Sequence, residues 1–295
     1  MKLELSNRTC AGVFAALLLV AAVFSYLNIA LASAQMGGVT LVARFVTGTL
    51  PTEDPNAASW GSATAVTIPL SAQNDLIPTG GGSVTSLTAR ALNNGTQIAF
   101  LLEYTDATNN TDILKKETFR DSAALQFPLA GGMGGGGMGM DACMGGIMMN
   151  PVTVNIWHWK ADWDYDRLVK YQEPKDDYPN MVVDSYPFDG NATYLAGRAA
   201  GNVFSQATRP KVENTNATGP STTATATSQT VVGKGAYASG RWKVVLSRPM
   251  TTTTTTDAQF ARGQTTGVAF AVWNGGNNER NGMKSASAWQ NLTVQ

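Results

Sequence analysis

This sequence is poor in the residues that most often announce chemistry. Its 295 residues include one histidine, His158, and two cysteines, Cys10 and Cys143. Cys10 lies in an apolar N-terminal segment, so a chain shorn of that segment keeps one cysteine and has no internal disulfide. Charged residues make up only 14% and the formal net charge is +0, which argues against a nucleic-acid partner. No Ser/His/Asp or Cys/His constellation, phosphate-binding glycine loop or paired-carboxylate signature is present, so the chain reads as non-catalytic by itself. Past the N-terminus there is also no long apolar stretch of period 3.6, which excludes a helical bundle.

Short runs of period 2 are plentiful instead. Val39 to Val46, Thr64 to Leu70, Ala123 to Phe127, Val152 to Trp159, Trp242 to Leu246, Gly267 to Trp273 and Ser287 to Val294 each alternate as strands do. Val84 to Leu92 and Thr96 to Tyr104 flank Asn93-Asn94-Gly95, a hairpin signal. Many short strands with Gly/Asn turns predict an all-β fold, a single antiparallel β-sandwich with long loops. Three segments break the pattern: Gly131 to Gly146, the polar stretch Asp162 to Phe188, and the Thr/Ala/Ser tract Asn214 to Thr230. The last is too weakly apolar to pack and is expected to be a surface excursion. The Thr251 to Thr256 run suits either a β-edge or a solvated loop.

The N-terminus points to export. Lys2 and Arg8 precede an apolar run that ends in Ala32-Ser33-Ala34, a small-residue cleavage pattern. The run is also long enough to span a bilayer as a helical anchor of about 20 residues. Residues 1–34 are therefore a signal peptide or membrane anchor, and residues 35–295 one extracytoplasmic sandwich domain. Asn94, Asn109, Asn191, Asn216 and Asn291 each begin an Asn-X-Thr sequon, which suits a glycosylated surface protein.

Two loops carry the candidate chemistry. Gly131 to Met149 contains Met133, Met138, Met140, Met144, Met148 and Met149 among glycines. It fits gap-filling against the sandwich, copper(I) binding by thioethers with Cys143, or a single thioether given to a haem iron. The second loop, Trp273 to Ser285, places Lys284 just before the last apolar stretch. A lone lysine is ordinarily a solvated charge, and to bind iron it must lose a proton held with a pKa near ~10.4. No CxxCH is present, so haem held here has no thioether bond to the chain. His158 sits between Trp157 and Trp159 and by alternation points away from both. It fits a satisfied histidine, an axial ligand or a propionate partner. Asp162, Asp164, Asp166, Asp176 and Asp177 form an acidic run without the glycine-centred calcium loop, as a solvated loop would.

Four segments in order resemble one family. They are Trp60 with Ala63, Val66 and Leu70; Ile98 to Thr108 followed by Phe119 to Pro128; the methionine-glycine loop running into Val154 to Lys160; and Gly240 to Val245 followed by Val268 to Ser285. Together they are similar to the haem-b-binding γ subunits of the ethylbenzene dehydrogenase and dimethylsulfide dehydrogenase group, and to related monohaem b cytochromes. The resemblance implies a β-sandwich holding one non-covalent haem b between a methionine and a lysine, and passing single electrons. It places the lysine on Lys284 and the methionine on Met144, with Met140 and Met148 in reserve. It further implies iron–sulfur and molybdenum subunits, or another respiratory complex, as redox partner. Trp157 or Trp159 is expected to wall the porphyrin. A reading of another class remains open: a cofactor-free carbohydrate-binding or adhesive sandwich, its tryptophans stacking on sugars.

Overall fold

The computed structural model describes residues 39–74, 76–129, 153–170, 172–182, 196–205, 210–219 and 221–295. The N-terminal export segment and the whole Gly131–Met149 loop, with Cys143, Met140, Met144 and Met148, lie outside the described residues.

The first strands are β1 (Thr40–Phe45), β2 (Val66–Pro69), β3 (Ser71–Ala72), β4 (Ser86–Asn93) and β5 (Gln97–Thr105). β6 (Ser122–Pro128), β7 (Thr153–Lys160), β8 (Val212–Thr218) and β9 (Ala224–Thr225) follow. β10 (Val232–Ala238), β11 (Arg241–Pro249), β12 (Thr265–Trp273), β13 (Ser285–Ala286) and β14 (Gln290–Val294) complete the set. Their hydrogen-bonded order is β10-β11-β5-β4-β1-β14-β12-β6-β7-β8-β9. The turn at β12 makes the sandwich. Its first half, Thr265 to Val268, pairs with β14, whereas Ala269 to Trp273 pairs with β6. One long strand thus belongs to both layers.

The fold is not wholly antiparallel. β1 runs parallel to both of its neighbours, β14 and β4. Neither is joined to β1 by a tight hairpin, and only long connections permit parallel pairing. The expected hairpin is present, with Asn93 opposite Ile98. Contrary to expectation, the start of the Thr/Ala/Ser tract is no excursion: Val212–Thr218 pairs with β7 along its length. Its buried Asn214 is satisfied by polar side chains of neighbouring segments. Asn155 Nδ2 donates to Asn214 Oδ1 at 2.7 Å, and Asn214 Nδ2 to Asp257 Oδ1 at 2.8 Å. Buried polar groups so bonded cost little. Residues 251–256 form a loop, not a strand.

Alternation places the core. Phe100, Phe127, Trp157, Trp159, Val244 and Phe270 meet between the layers, each at most 1% exposed. Phe127 and Trp157 lie 4.9 Å apart between ring centres, and Trp159 and Trp242 also 4.9 Å, both angled as aromatic pairs prefer. The outer face of the second layer carries a different cluster: Ala124, Val154, Ile156, Ala269, Ala271 and Trp273, joined by Ala217 and Ala286. Small side chains repeated across neighbouring strands leave a shallow apolar floor there.

Candidate functional site

Three residues of that cluster, Ala124, Ile156 and Trp273, line a cavity of about 680 Å³, within the ~300–1,000 Å³ span usual for cofactor and small-molecule sites. Ala124 and Gln126 of β6, Ile156 and His158 of β7, and Trp273 at the end of β12 line it. Lys284 lines it too, from the loop between β12 and β13.

The loop is built to hold Lys284 still. Asn274 opens a single 3-10 turn, Gly275–Asn277, by accepting the Asn277 N–H on its side chain at 3.1 Å. Asn278 and Asn281 take left-handed backbone at φ 60 and 52, a conformation asparagine tolerates. Glu279, 2% exposed, accepts N–H bonds from Ser83 at 2.9 Å and Asn274 at 3.0 Å, tying the loop to the segment before β4. Gln73 Nε2 donates to the Gly282 carbonyl at 2.9 Å, and Lys284 N–H to the Gly80 carbonyl at 3.2 Å. Gly81, at φ +92, lets the two backbones touch; a Cβ there would fall 2.4 Å from the Lys284 nitrogen. Lys284 itself is 6% exposed, and its Nζ stands 5.2 Å from the centre of the Trp273 ring.

His158 stacks on the other partner of this wall. Its ring lies 4.7 Å from that of Trp273, 24° from parallel. Nε2 is buried with no hydrogen-bond partner among the described residues. Burial, and then the positive charges of Lys160, Arg120 and Lys284, push the His158 pKa well below the ordinary histidine value, so the imidazole is neutral. An uncharged ring with an orphaned nitrogen, an apolar floor and a buried amine make a donor set that fits a flat metal macrocycle. Among the described residues no group of three or more His, Cys, Asp or Glu could hold a bare metal ion.

Placement corrects one expectation and bears out another. Trp157 and Trp159 do not face the cavity: both are fully buried between the layers, because the inward phase of β7 falls on them. His158 points the opposite way, as alternation requires. The ring on the wall is Trp273, which shares a face with Ala269 and Ala271; that run of small residues on one phase of β12 was its signal in the sequence. The acidic run is structural in part, since Asp162 and Asp164 are buried. Asp162 accepts from Arg120 at 2.8 Å, and Asp164 from Trp159 Nε1 at 2.9 Å.

Residues 57–285 match the ethylbenzene dehydrogenase family. A protein of Haloferax mediterranei assigned as the haem subunit of a respiratory nitrate reductase is 26% identical over 238 residues, covering 80% of this chain and 66% of its own length. The chlorate reductase γ subunit of Ideonella dechloratans is 26% identical over 241 residues, covering 80% of this chain and 77% of that subunit. Among solved structures, a family 9 carbohydrate-binding module of Caldicellulosiruptor kristjanssonii with cellotriose is 6% identical, at TM-score 0.39, covering 87% of this chain and 93% of that one. A protein of Bacteroides uniformis assigned as carbohydrate-binding is 10% identical, at TM-score 0.41, covering 88% of this chain and 100% of that one. Likeness at those scores carries nothing about a ligand.

Proposed function

This chain belongs to the ethylbenzene dehydrogenase family, and we propose that it is an extracytoplasmic b-type cytochrome holding one non-covalent haem b. In this reading it passes single electrons within an oxidoreductase complex. The observation that carries the reading is Lys284, a buried amine set in the wall of a cavity also lined by Ala124, Ile156 and Trp273. The names of the two curated relatives support it, one a haem subunit and both subunits of reductases.

Lys284 Nζ, once it gives up its proton, supplies the nitrogen ligand. Met144 would supply a thioether ligand, with Met140 and Met148 as alternates from the same loop. The haem brings reversible one-electron chemistry at iron, its potential raised by a soft sulfur ligand. The protein supplies the rest. Ala124, Ile156 and the Trp273 and His158 rings would exclude water from the site, while the clamped loop holds the amine in position. With the iron held by these two side chains, turnover would belong to partner subunits, iron–sulfur and molybdenum proteins or another respiratory complex. Residues 1–34 carry the domain across the membrane, where they are removed or stay as an anchor.

A pyridine haemochrome assay on the purified full chain tests this. One haem b per chain is the expected result; protein with none would overturn the cytochrome and return the sandwich to the cofactor-free, carbohydrate-binding reading.

A further inference from the structure

The charge lining the cavity is mostly of one sign. Besides Lys284, Lys115, Lys116, Arg120 and Arg280 line it, and Glu279 is the one acid among its described lining residues. Both Glu279 oxygens are already occupied by the Ser83 and Asn274 N–H groups, so it does not answer those cations. Lys115 is partly neutralised by Asp177 at 3.2 Å.

Arg120 is the best placed. Its Nη1 donates to Asp162 Oδ2 at 2.8 Å, and the Asp162 side chain is fully buried, so the guanidinium is fixed from behind. Its own side chain is 24% exposed, and the planar fork has five N–H donors, more than one carboxylate oxygen can use. Arg280 lies over the Phe119 ring at 4.5 Å and donates to the Asn278 carbonyl at 2.8 Å, which stiffens a long exposed side chain. Lys116 has no ion pair among the described residues. The cations therefore converge from two separate segments, residues 115–120 and the Lys284 loop.

We propose that Arg120, with Lys116 and Arg280 lining the same cavity, binds the two carboxylate side groups of the macrocycle, so that the cavity recognises the ligand by its acidic edge as well as its metal. The inference rests on the haem reading above and deepens it. Haem b is apolar over most of its ring and carries two propionates on one edge. The cavity lining has both characters, apolar at Ala124, Ile156 and Trp273 and basic at Lys116, Arg120 and Arg280, and arginine forks match carboxylates two bonds at a time.

The test compares haem b with its dimethyl ester, which has the same ring and iron but no free carboxylates. Each is titrated into the purified, haem-depleted full chain and followed by Soret absorbance. Wild type should bind the diester about tenfold or more weakly than haem b, the scale of a lost charge-assisted pair. Arg120→Gln should weaken haem b by a similar factor and shrink the preference over the ester, with the Soret and α-band positions of the bound form unchanged. Because Arg120 also pairs with buried Asp162, the exposed variants Lys116→Gln and Arg280→Gln serve as a second arm, with a smaller loss in the same direction. Equal affinity of wild type for haem b and diester overturns the carboxylate assignment and leaves the cytochrome reading standing. Failure to bind either overturns both.

Discussion

Lys284 and the Asp121–Asp106 pair show how burial sets the chemistry of single residues. Lys284 is held in place by backbone bonds on both sides, so its side chain can be changed without undoing the loop. Lys284→Ala is expected to leave the far-UV circular dichroism intact and either shift the Soret band or abolish haem content. Spectra identical to wild type would remove Lys284 from the iron. Asp121 lies under the same loop, accepting N–H bonds from Asn110 at 2.7 Å, Gly275 at 2.9 Å and Trp242 Nε1 at 3.0 Å. Burial, with the charge of neighbouring Asp106, pushes the Asp121 carboxyl up to about 7. Burial likewise raises Asp106, to which Glu279 adds repulsion. Groups raised in the fold bind protons more tightly there than in the unfolded chain. Their stabilisation is full below about pH 4 and is lost as pH rises through about 7. Melting temperature should therefore fall between pH 5 and 8 by roughly 2–4 °C per kcal/mol lost. Asp106→Asn keeps the acceptor for Thr108 and removes one of the facing charges, so its curve should be flatter. Parallel curves would refute the coupling.

At the scale of elements, two close contacts decide whether the site and the sandwich hold their shapes. Gly81 carries the left-handed turn that lets the segment before β4 lie on the Lys284 backbone. In Gly81→Ala the new methyl meets main chain and cannot be relieved by a rotamer, so Lys284 must move. Haem affinity should drop more than thermal stability does; a stability loss with unchanged affinity would place the strain elsewhere. The second contact pins the 251–256 loop. Arg248 and Asp257, both side chains 0% exposed, face each other at 3.6 Å. Arg248 also donates to the Ala258 carbonyl and lies over the Trp157 ring at 4.9 Å. Burial lowers its guanidinium to about 10. Removing one member leaves the other charged and unpaired, which costs ~3–5 kcal/mol. Asp257→Ala should show that loss in denaturant melts, and adding Arg248→Met should restore part of it. A double variant as unstable as the sum of the singles would mean that the two side chains act independently.

For the molecule as a whole, the arrangement divides labour between two faces. The aromatic core between the layers supplies stability, whereas the outer face of the second layer is left shallow and apolar for a ligand. The outer face of the first layer is covered instead, Trp60 and Leu50 packing on Leu92, Leu101 and Val245. A ligand that binds only the folded chain adds to its stability by mass action, about 4 kcal/mol at a free concentration a thousandfold above Kd. Haem b should raise the melting temperature of the full chain accordingly, and in Lys284→Ala the rise should be smaller. Equal rises in both would show that the amine contributes nothing to binding.

Much of this was legible in the order of residues. Strict alternation through β7 and β12 set which side chains share a face, because period 2 is a local property of extended backbone. The blocks around Phe127 and Lys284 were enough to indicate the family. Other features needed the folded chain. The parallel seating of β1, the strand hidden in the Thr/Asn tract and the split of β12 between layers all depend on partners far away in the chain, which local periodicity does not encode. Which tryptophan walls the cavity followed from the packing of two sheets, since alternation separates the faces of a strand without saying which is covered. Arg120 acquired its orientation in the same way, from a buried aspartate forty-two positions later that only the fold brings beside it.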